Sequence, residues 1–474
     1  MQAQVDSLDP WGVSLSMWAY GVLGRQAEPV LTALCRRGAA VMRGFTPVDC
    51  AAALAGWARL RARAARHREF LDALMAHALD ALSGAPRDWE PRELAQSAWG
   101  LSRVGVGGRH RRLLLETLMD VVQRRLEQFG PRDLSTVVFA YARLRFNAPG
   151  ALLRIQDRVL RSIDTAAPLD MALLLWGFAR LGFAPREELM RRLGASVVRQ
   201  LGAFKPRETS ILLYSYGALS HNDPLVIEAV AAAAAARLDR FGTQELVAAI
   251  WALGALRGAG GAAAATLLPG ACAVLLARAR ARRLAPGHVA VGLKGLARAG
   301  FRPPAALTSE LCACALENLA SFKPVELCHL MWALARLGAR HVELVEAAVA
   351  RAAAQLQAVP GAAFDQHTPG QRAFVKLSLD TVVWAAQRLG YFPAELIEAA
   401  GARGVRVKVW RRFKTRFDLG AAPGDLPEEE VRGAAPGDGA GAGAVAWEEI
   451  VRPGMDLPDD FPSPERRAAS PRAA

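Results

Sequence analysis

The sequence predicts an all-α protein, an α-solenoid of about ten helical hairpins. Three observations predict it. A phrase of the W-A-L-A-R-L-G kind recurs along the chain, a proline recurs eight residues before it, and the stretches between copies carry apolar residues at helical spacing. A single hairpin of this size cannot bury its own apolar face, so neighbours must stack and share a core. The expected α-α superhelix spans residues 1–402. One set of its helices would line a groove suited to an extended ligand.

The first residue of each phrase serves as an anchor. The anchors are Trp18, Ala55, Trp99, Phe139, Trp176, Tyr214, Trp251, Lys294, Trp332 and Trp384. Five of the nine spacings are 37 or 38 residues, which sets the length of the unit. Eight copies hold a proline eight residues before the anchor, from Pro10 to Pro324. Seven hold an acid six before it: Asp49, Glu93, Asp133, Asp170, Glu208, Glu245 and Glu326. Proline at the first helical position loses no hydrogen bond, and an acid two residues later faces the free amides of the first turn. Each unit therefore opens with a helix start.

That helix runs about 14 residues to a break such as Gly182, Asn147-Ala148-Pro149 or Asn222-Asp223-Pro224. A second amphipathic helix follows, as in 113–129 and 225–241. An aromatic two residues before the next proline position closes most units: Phe45, Trp89, Phe129, Phe204, Phe241, Phe322 and Phe374. A ring at a fixed joint is expected to pack one unit onto the next. Residues 357–379 read as a surface loop, and the Gly/Ala segment 258–266 as a smaller interruption. Residues 403–417 alternate valines with Arg406 and Lys408, which suggests a short strand or a cap.

Composition bounds the rest. The 474 residues are 52% apolar, enough for a sizeable core. Runs of apolar residues are broken by charges, proline or glycine, so a membrane span is not expected. Six scattered cysteines do not make a disulfide framework and fit a reducing compartment. The formal charge of +14 is uneven. The Pro/Gly/Ala-rich segment 418–474 holds 12 acids and 5 arginines, is expected to be disordered, and leaves +21 on residues 1–417. Such a body calls for a polyanionic partner.

The 37–38-residue hairpin, the W-A-L-A-R-L-G phrase and the upstream P-x-E-L resemble heptatricopeptide and octotricopeptide repeats. They are also similar to the repeats of FAST-kinase-like and RAP-domain proteins. The resemblance implies an organellar RNA-binding protein, mitochondrial (matrix) first and plastid second, acting in RNA processing, stability or translation. No RAP domain is recognisable, and neither is a kinase motif. No transit peptide is visible, and the first unit begins by Pro10. The chain then reads as truncated at its start, or, if complete, as cytosolic or nuclear.

Several residues are candidate RNA contacts. An arginine four residues after the anchor recurs: Arg59, Arg103, Arg143, Arg180, Arg298, Arg336 and Arg388. It reads either as a phosphate ladder or as a structural ladder, and strict periodicity favours the structural one. Three residues before the anchor stand Gln96, Thr136, His329 and Thr381, either readers of splayed bases or half-buried helix positions. The densest basic run is Arg403, Arg406, Lys408, Arg411, Arg412, Lys414 and Arg416, interleaved with Trp410, Phe413 and Phe417. Basic groups can neutralise phosphates while rings stack on bases, and the alternative is a solvated basic edge. The anchor rings themselves should be core. No cofactor, metal site, catalytic constellation or small-molecule substrate is expected. The expected function is non-enzymatic capture of single-stranded mRNA or rRNA. The rivals are an armadillo/HEAT-type protein scaffold and an rRNA-binding subunit of a mitochondrial ribosome, with ribonucleoprotein or ribosomal proteins as partners.

Overall fold

The computed structural model describes residues 2–25, 27–60, 65–256, 261–359 and 367–409, and the described residues are helical with no strand. A short α1 (Gln2–Asp6) precedes the helix pairs. These are α2 (Pro10–Val22) with α3 (Glu28–Val41), α4 (Pro47–Arg59) with α5 (Arg68–Gly84), α6 (Pro91–Arg103) with α7 (Arg109–Arg124), α8 (Pro131–Arg143) with α9 (Pro149–Ser162), and α10 (Pro168–Leu181) with α11 (Glu187–Gln200). Then follow α12 (Pro206–Ala218) with α13 (Pro224–Ala235), α14 (Thr243–Ala255) with α15 (Gly261–Arg280), α16 (Pro286–Arg298) with α17 (Ala305–Glu317), α18 (Pro324–Leu337) with α19 (Val342–Ala358), and α20 (Pro369–Arg388) with α21 (Ala394–Ala402). The chain forms two compact units, one of Met1–Val197 and one that starts at Val198. Within each, first helices pack on first helices and second on second, as a solenoid requires.

The helix starts lie where the sequence puts them. All eight register prolines occupy the first helical position. The recurrent acid turns back to cap its own helix: Glu93 accepts from the Glu90 amide at 2.8 Å and Glu208 from the Lys205 amide at 2.8 Å. Asp49 accepts the Thr46 amide at 2.9 Å and also the Ser14 hydroxyl of α2 at 2.7 Å, so one buried carboxylate ties two units. In α16, where the acid is missing, His288 Nδ1 takes the Ala285 amide at 3.2 Å.

The first-helix layer is unusually close. The residue after the anchor is small in every copy: Ala19, Gly56, Gly100, Ala140, Gly177, Ser215, Ala252, Gly295, Ala333 and Ala385. A Cβ on Gly56 would lie 2.4 Å from the Met17 carbonyl oxygen, and one on Gly254 would lie 2.4 Å from that of Gly295. Backbone meets backbone there, which only a missing or minimal side chain permits. The large side chains point elsewhere, and Trp57, Trp99, Tyr141, Phe178 and Tyr216 are fully buried.

The second helices end earlier than expected. Those read as 113–129 and 225–241 stop at Arg124 and Ala235, and a 3-10 turn such as Leu126–Gln128 or Leu238–Arg240 finishes the unit. The joint aromatic follows that turn and is buried at Phe45, Trp89, Phe129, Phe204, Phe241 and Phe322. Phe374 departs from this pattern. It lies on α20 and is 37% exposed, because α20 begins seven residues before its register and absorbs much of the expected loop 357–379. Thr368 and Gln371 supply a new capping box that starts it there. The 258–266 interruption is corrected likewise, since residues from Gly261 onward are helical. α15 is long and apolar enough, by length and composition, to cross a membrane, yet it packs between α13 and α17. Val405–Val409 forms no strand; the Lys408 amide donates to Asp380 Oδ1 at 2.7 Å and holds the segment to α20.

Candidate nucleic-acid interface

Charge is sorted along the first helices. In these ten helices every acid is the capping residue of the first turn, Asp380 of α20 excepted. No acid follows the anchor in any of them, while an arginine ends seven. A cation in the last turn is favoured by the negative end of the helix. Propensity therefore accounts for one arginine per helix, and within each compact unit the packing of first helix on first helix sets these arginines in a row.

The row is built on the anchor rings. Phe139 meets Trp176 at 5.0 Å between centroids, and Tyr214 stacks on Trp251 at 4.9 Å. Arginines flank these rings: Arg59 lies 4.7 Å and Arg103 lies 5.1 Å from the Trp99 centroid. Arg336 stands 5.7 Å from Trp332 and Arg388 stands 5.9 Å from Trp384. Such contacts contribute about 0.5–2 kcal/mol each and hold the guanidinium flat against the ring. The anchor rings are buried at Trp99, Phe139, Trp176, Tyr214, Trp251, Trp332 and Trp384, as core residues should be.

Exposure along the row is graded. Arg103 is buried, Arg59, Arg143, Arg180, Arg298 and Arg388 are half-buried, and Arg336 is exposed. Arg388 also donates Nε to the Ala335 carbonyl at 3.2 Å, and burial and then the neighbouring Arg336 charge lower its titration range. The ladder is thus structural along its inner edge and open to solvent at its outer atoms.

The four polar residues three before the anchor lie inside the stack. Gln96, Thr136, His329 and Thr381 are all buried. Thr136 donates to Arg132 O at 2.9 Å and Thr381 to Leu377 O at 2.8 Å, so both hydroxyls are spent on their own helices. In this packing none of the four faces a surface where a base can rest. Arg406 and Lys408 are exposed on the segment after α21. Trp410, Arg411, Arg412, Lys414 and Arg416 lie outside the described residues.

The second-helix layer treats its charges differently. Its cations pair with acids of a neighbouring unit: Arg186 with Asp157 at 2.7 Å and Arg161 with Glu127 of the unit before, and Arg282 with Glu310 of the unit after at 3.0 Å. A further device recurs here that sequence reading missed. A side chain of one unit donates to the carbonyl of the preceding joint aromatic. Arg125 reaches Trp89 O at 2.7 Å, Arg237 reaches Phe204 O at 3.0 Å, and Gln355 reaches Phe322 O at 2.5 Å. His77 and Phe45 O make the same contact at 3.1 Å, and Arg278 repeats it on Phe241 O.

The family model described as RNA-editing substrate-binding complex 6 protein matches residues 87–342, more than half of the chain. The chain belongs to that family. The RNA-editing substrate-binding complex 6 match runs from the turn before α6 to the first residue of α19. It takes in Arg103, Arg143, Arg180, Arg298 and Arg336. The helical-repeat part of the resemblance holds, while the model names neither the heptatricopeptide nor the FAST-kinase-like branch. No curated protein matches the chain.

Proposed function

We propose that this chain is a non-enzymatic RNA-binding repeat protein of RNA processing. It captures single-stranded RNA along the arginine ends of its first helices and works within a larger RNA–protein complex. The observation that carries this reading is the sorting of charge: capping acids at one end of the first helices, arginines at the other. Guanidinium groups fixed on rings need little further ordering to meet phosphates, and each contact releases a counterion. The family description, an RNA-editing substrate-binding complex, supports both an RNA ligand and protein partners. The mitochondrial matrix is the location that the organellar resemblance implies. Sequence selectivity is low in this reading, because the polar positions that vary between copies are buried.

The test is a titration of labelled single-stranded RNA with the full chain at two salt concentrations. Affinity should fall steeply with salt, with a logarithmic slope of about 0.7 per phosphate contacted. Binding no tighter at low salt than that of an unrelated neutral protein sinks the reading.

A further inference from the structure

Asp380 breaks the rule of its register. Four residues before the anchor, the other nine first helices carry an uncharged residue no larger than valine, whereas α20 carries an aspartate. In inner joints this position faces the first helix of the following unit. The Ser14 hydroxyl of α2 donates to Asp49 of α4 at 2.7 Å, Ser135 of α8 lies against the Asp170 carboxylate of α10, and Cys328 of α18 meets Ser378 and Thr381 of α20. In α20 the same position takes the Lys408 amide at 2.7 Å. Residues 405–409 therefore pack where a following first helix packs elsewhere. A helical stack needs a terminal element with one face packed and the other polar.

The segment meets that need in an extended form. Gly404, at φ 68°, turns the chain out of α21, and the Val405 amide donates to the Ala400 carbonyl. Arg403 donates to the Gln357 carbonyl at 2.8 Å, so the segment is tied on both sides of Arg406. Successive side chains of an extended chain point to opposite sides. Val405 and Val407 are half-buried, while Arg406 and Lys408 are exposed. The two basic residues thus share the outer side, about 7 Å apart along the chain. Residues 403–417 hold seven basic groups and no acid. Asp380, the acid beneath, is buried and pairs with Lys376 at 2.5 Å. Among the described residues, the Arg406 side chain has neither a hydrogen bond nor an ion pair.

We infer that residues 405–409 carry a phosphate-contact site for single-stranded RNA beyond the last helix, with Arg406 as its principal contact and Asp380 as its positioning residue. This inference rests on the RNA-binding reading above and adds a place that the arginine row of the first helices does not include. An exposed guanidinium can meet a phosphate by two parallel hydrogen bonds and release a counterion. A tethered backbone spares the ordering cost that a free basic segment incurs on binding. Asp380 serves the site only by holding the Lys408 amide.

Five full-length chains test it: wild type, Arg406→Gln, Asp380→Ala, Asp380→Asn, and Arg283→Gln as an exposed control outside the segment. Fluorescence anisotropy with labelled oligo-uridine at two salt concentrations is paired with thermal melts and with limited trypsin digestion read by mass spectrometry. Arg406→Gln should bind about three- to tenfold more weakly at low salt, lower the salt slope by about 0.7, and keep the wild-type melting temperature. Asp380→Ala should match that loss of affinity and allow faster cleavage after Arg406 and Lys408. Asp380→Asn keeps an oxygen acceptor for the Lys408 amide and should restore both readouts. Arg283→Gln should match wild type in affinity and slope. If wild type binds and Arg406→Gln binds equally well with an unchanged slope, the site is overturned while the RNA reading stands. An equal loss in Arg283→Gln overturns it as a general effect of charge. A lower melting temperature for Asp380→Ala with wild-type binding overturns the positioning role. Tighter wild-type binding of poly-glutamate than of oligo-uridine, lost in Arg406→Gln, overturns RNA as the occupant. No wild-type binding to oligo-uridine removes the RNA reading, and the site with it.

Discussion

Arg59 of α4 lies over the indole of Trp99 on α6, its Cζ 4.7 Å from the ring centroid. The two belong to successive units, so the contact is a joint between repeats as well as a way of aiming a cation. Its two members differ in weight. Trp99 is fully buried, and its truncation removes a large apolar surface and leaves a cavity. Trp99→Ala should lower unfolding free energy by about 3–5 kcal/mol, measured by urea denaturation. Arg59→Met keeps the stem over the ring and loses the charge; it should cost only about 0.5–1 kcal/mol.

The close first-helix layer makes its own prediction. Gly254→Ala places a methyl 2.4 Å from the Gly295 carbonyl oxygen, so the two backbones must part. Overpacking of this kind costs about 1–3 kcal/mol, and the gain in helix propensity of about 1 kcal/mol does not offset it. Gly202, which has open space around its Cβ direction, is the control. A melting temperature for Gly254→Ala at or above that of wild type would remove the argument for backbone contact.

The legibility of the fold follows from which groups carry the signal. Helix starts were readable because proline and the capping acid are side-chain features with a fixed place in the first turn. The small residue after each anchor was equally present in the sequence, and comparing all ten copies at that position would have found it. The 3-10 turns and the bonds from Arg125, Arg237 and Gln355 to joint carbonyls were not readable. Their acceptors are backbone oxygens, which every residue has. The start of α20 was misplaced because Thr368 and Gln371 form a capping box outside the register, and a local helix signal there outweighs the repeat period. The candidate site was half legible: the arginine row was visible, whereas the burial of Gln96 and Thr136 depends on how closely neighbouring helices pack.

Asp49 allows a test of the capping acid. Its carboxylate takes the Thr46 amide at 2.9 Å and the Ser14 hydroxyl at 2.7 Å, in nearly full burial. Asp49→Ala leaves a helix start without its acceptor and the Ser14 hydroxyl with only the Trp11 carbonyl, at 3.0 Å, to donate to. The expected loss is about 2–3 kcal/mol, against a few tenths for the exposed Asp120→Ala. Ser14→Ala in the Asp49→Ala background should add little, and a fully additive double variant would show that the two groups do not couple.

The cysteines should be inert in the folded chain. Burial pushes the Cys272 and Cys312 thiols up to about 11, so neither holds a significant thiolate fraction at pH 8. A thiol reagent at that pH should label both only on unfolding, with a rate that tracks urea concentration. Fast stoichiometric labelling in native buffer would contradict the packing around them.

His329 sets the pH response of the second unit. Burial, with Lys294 and Arg298 beside it, keeps the imidazole neutral far below its ordinary value near 6.5. The unfolded chain takes up a proton there below pH 6.5 and the folded chain does not. Stability is therefore full above pH 6.5 and is lost as pH falls, by up to about 1.4 kcal/mol per unit from this one group, until the folded imidazole itself titrates. His329→Gln cannot take up that proton. Urea unfolding between pH 7.5 and 5 should show a steeper decline for wild type than for His329→Gln, with the two curves parallel above pH 7. Parallel curves throughout would mean that His329 is solvated in the folded chain, and the cation cluster around it would then lie open rather than packed.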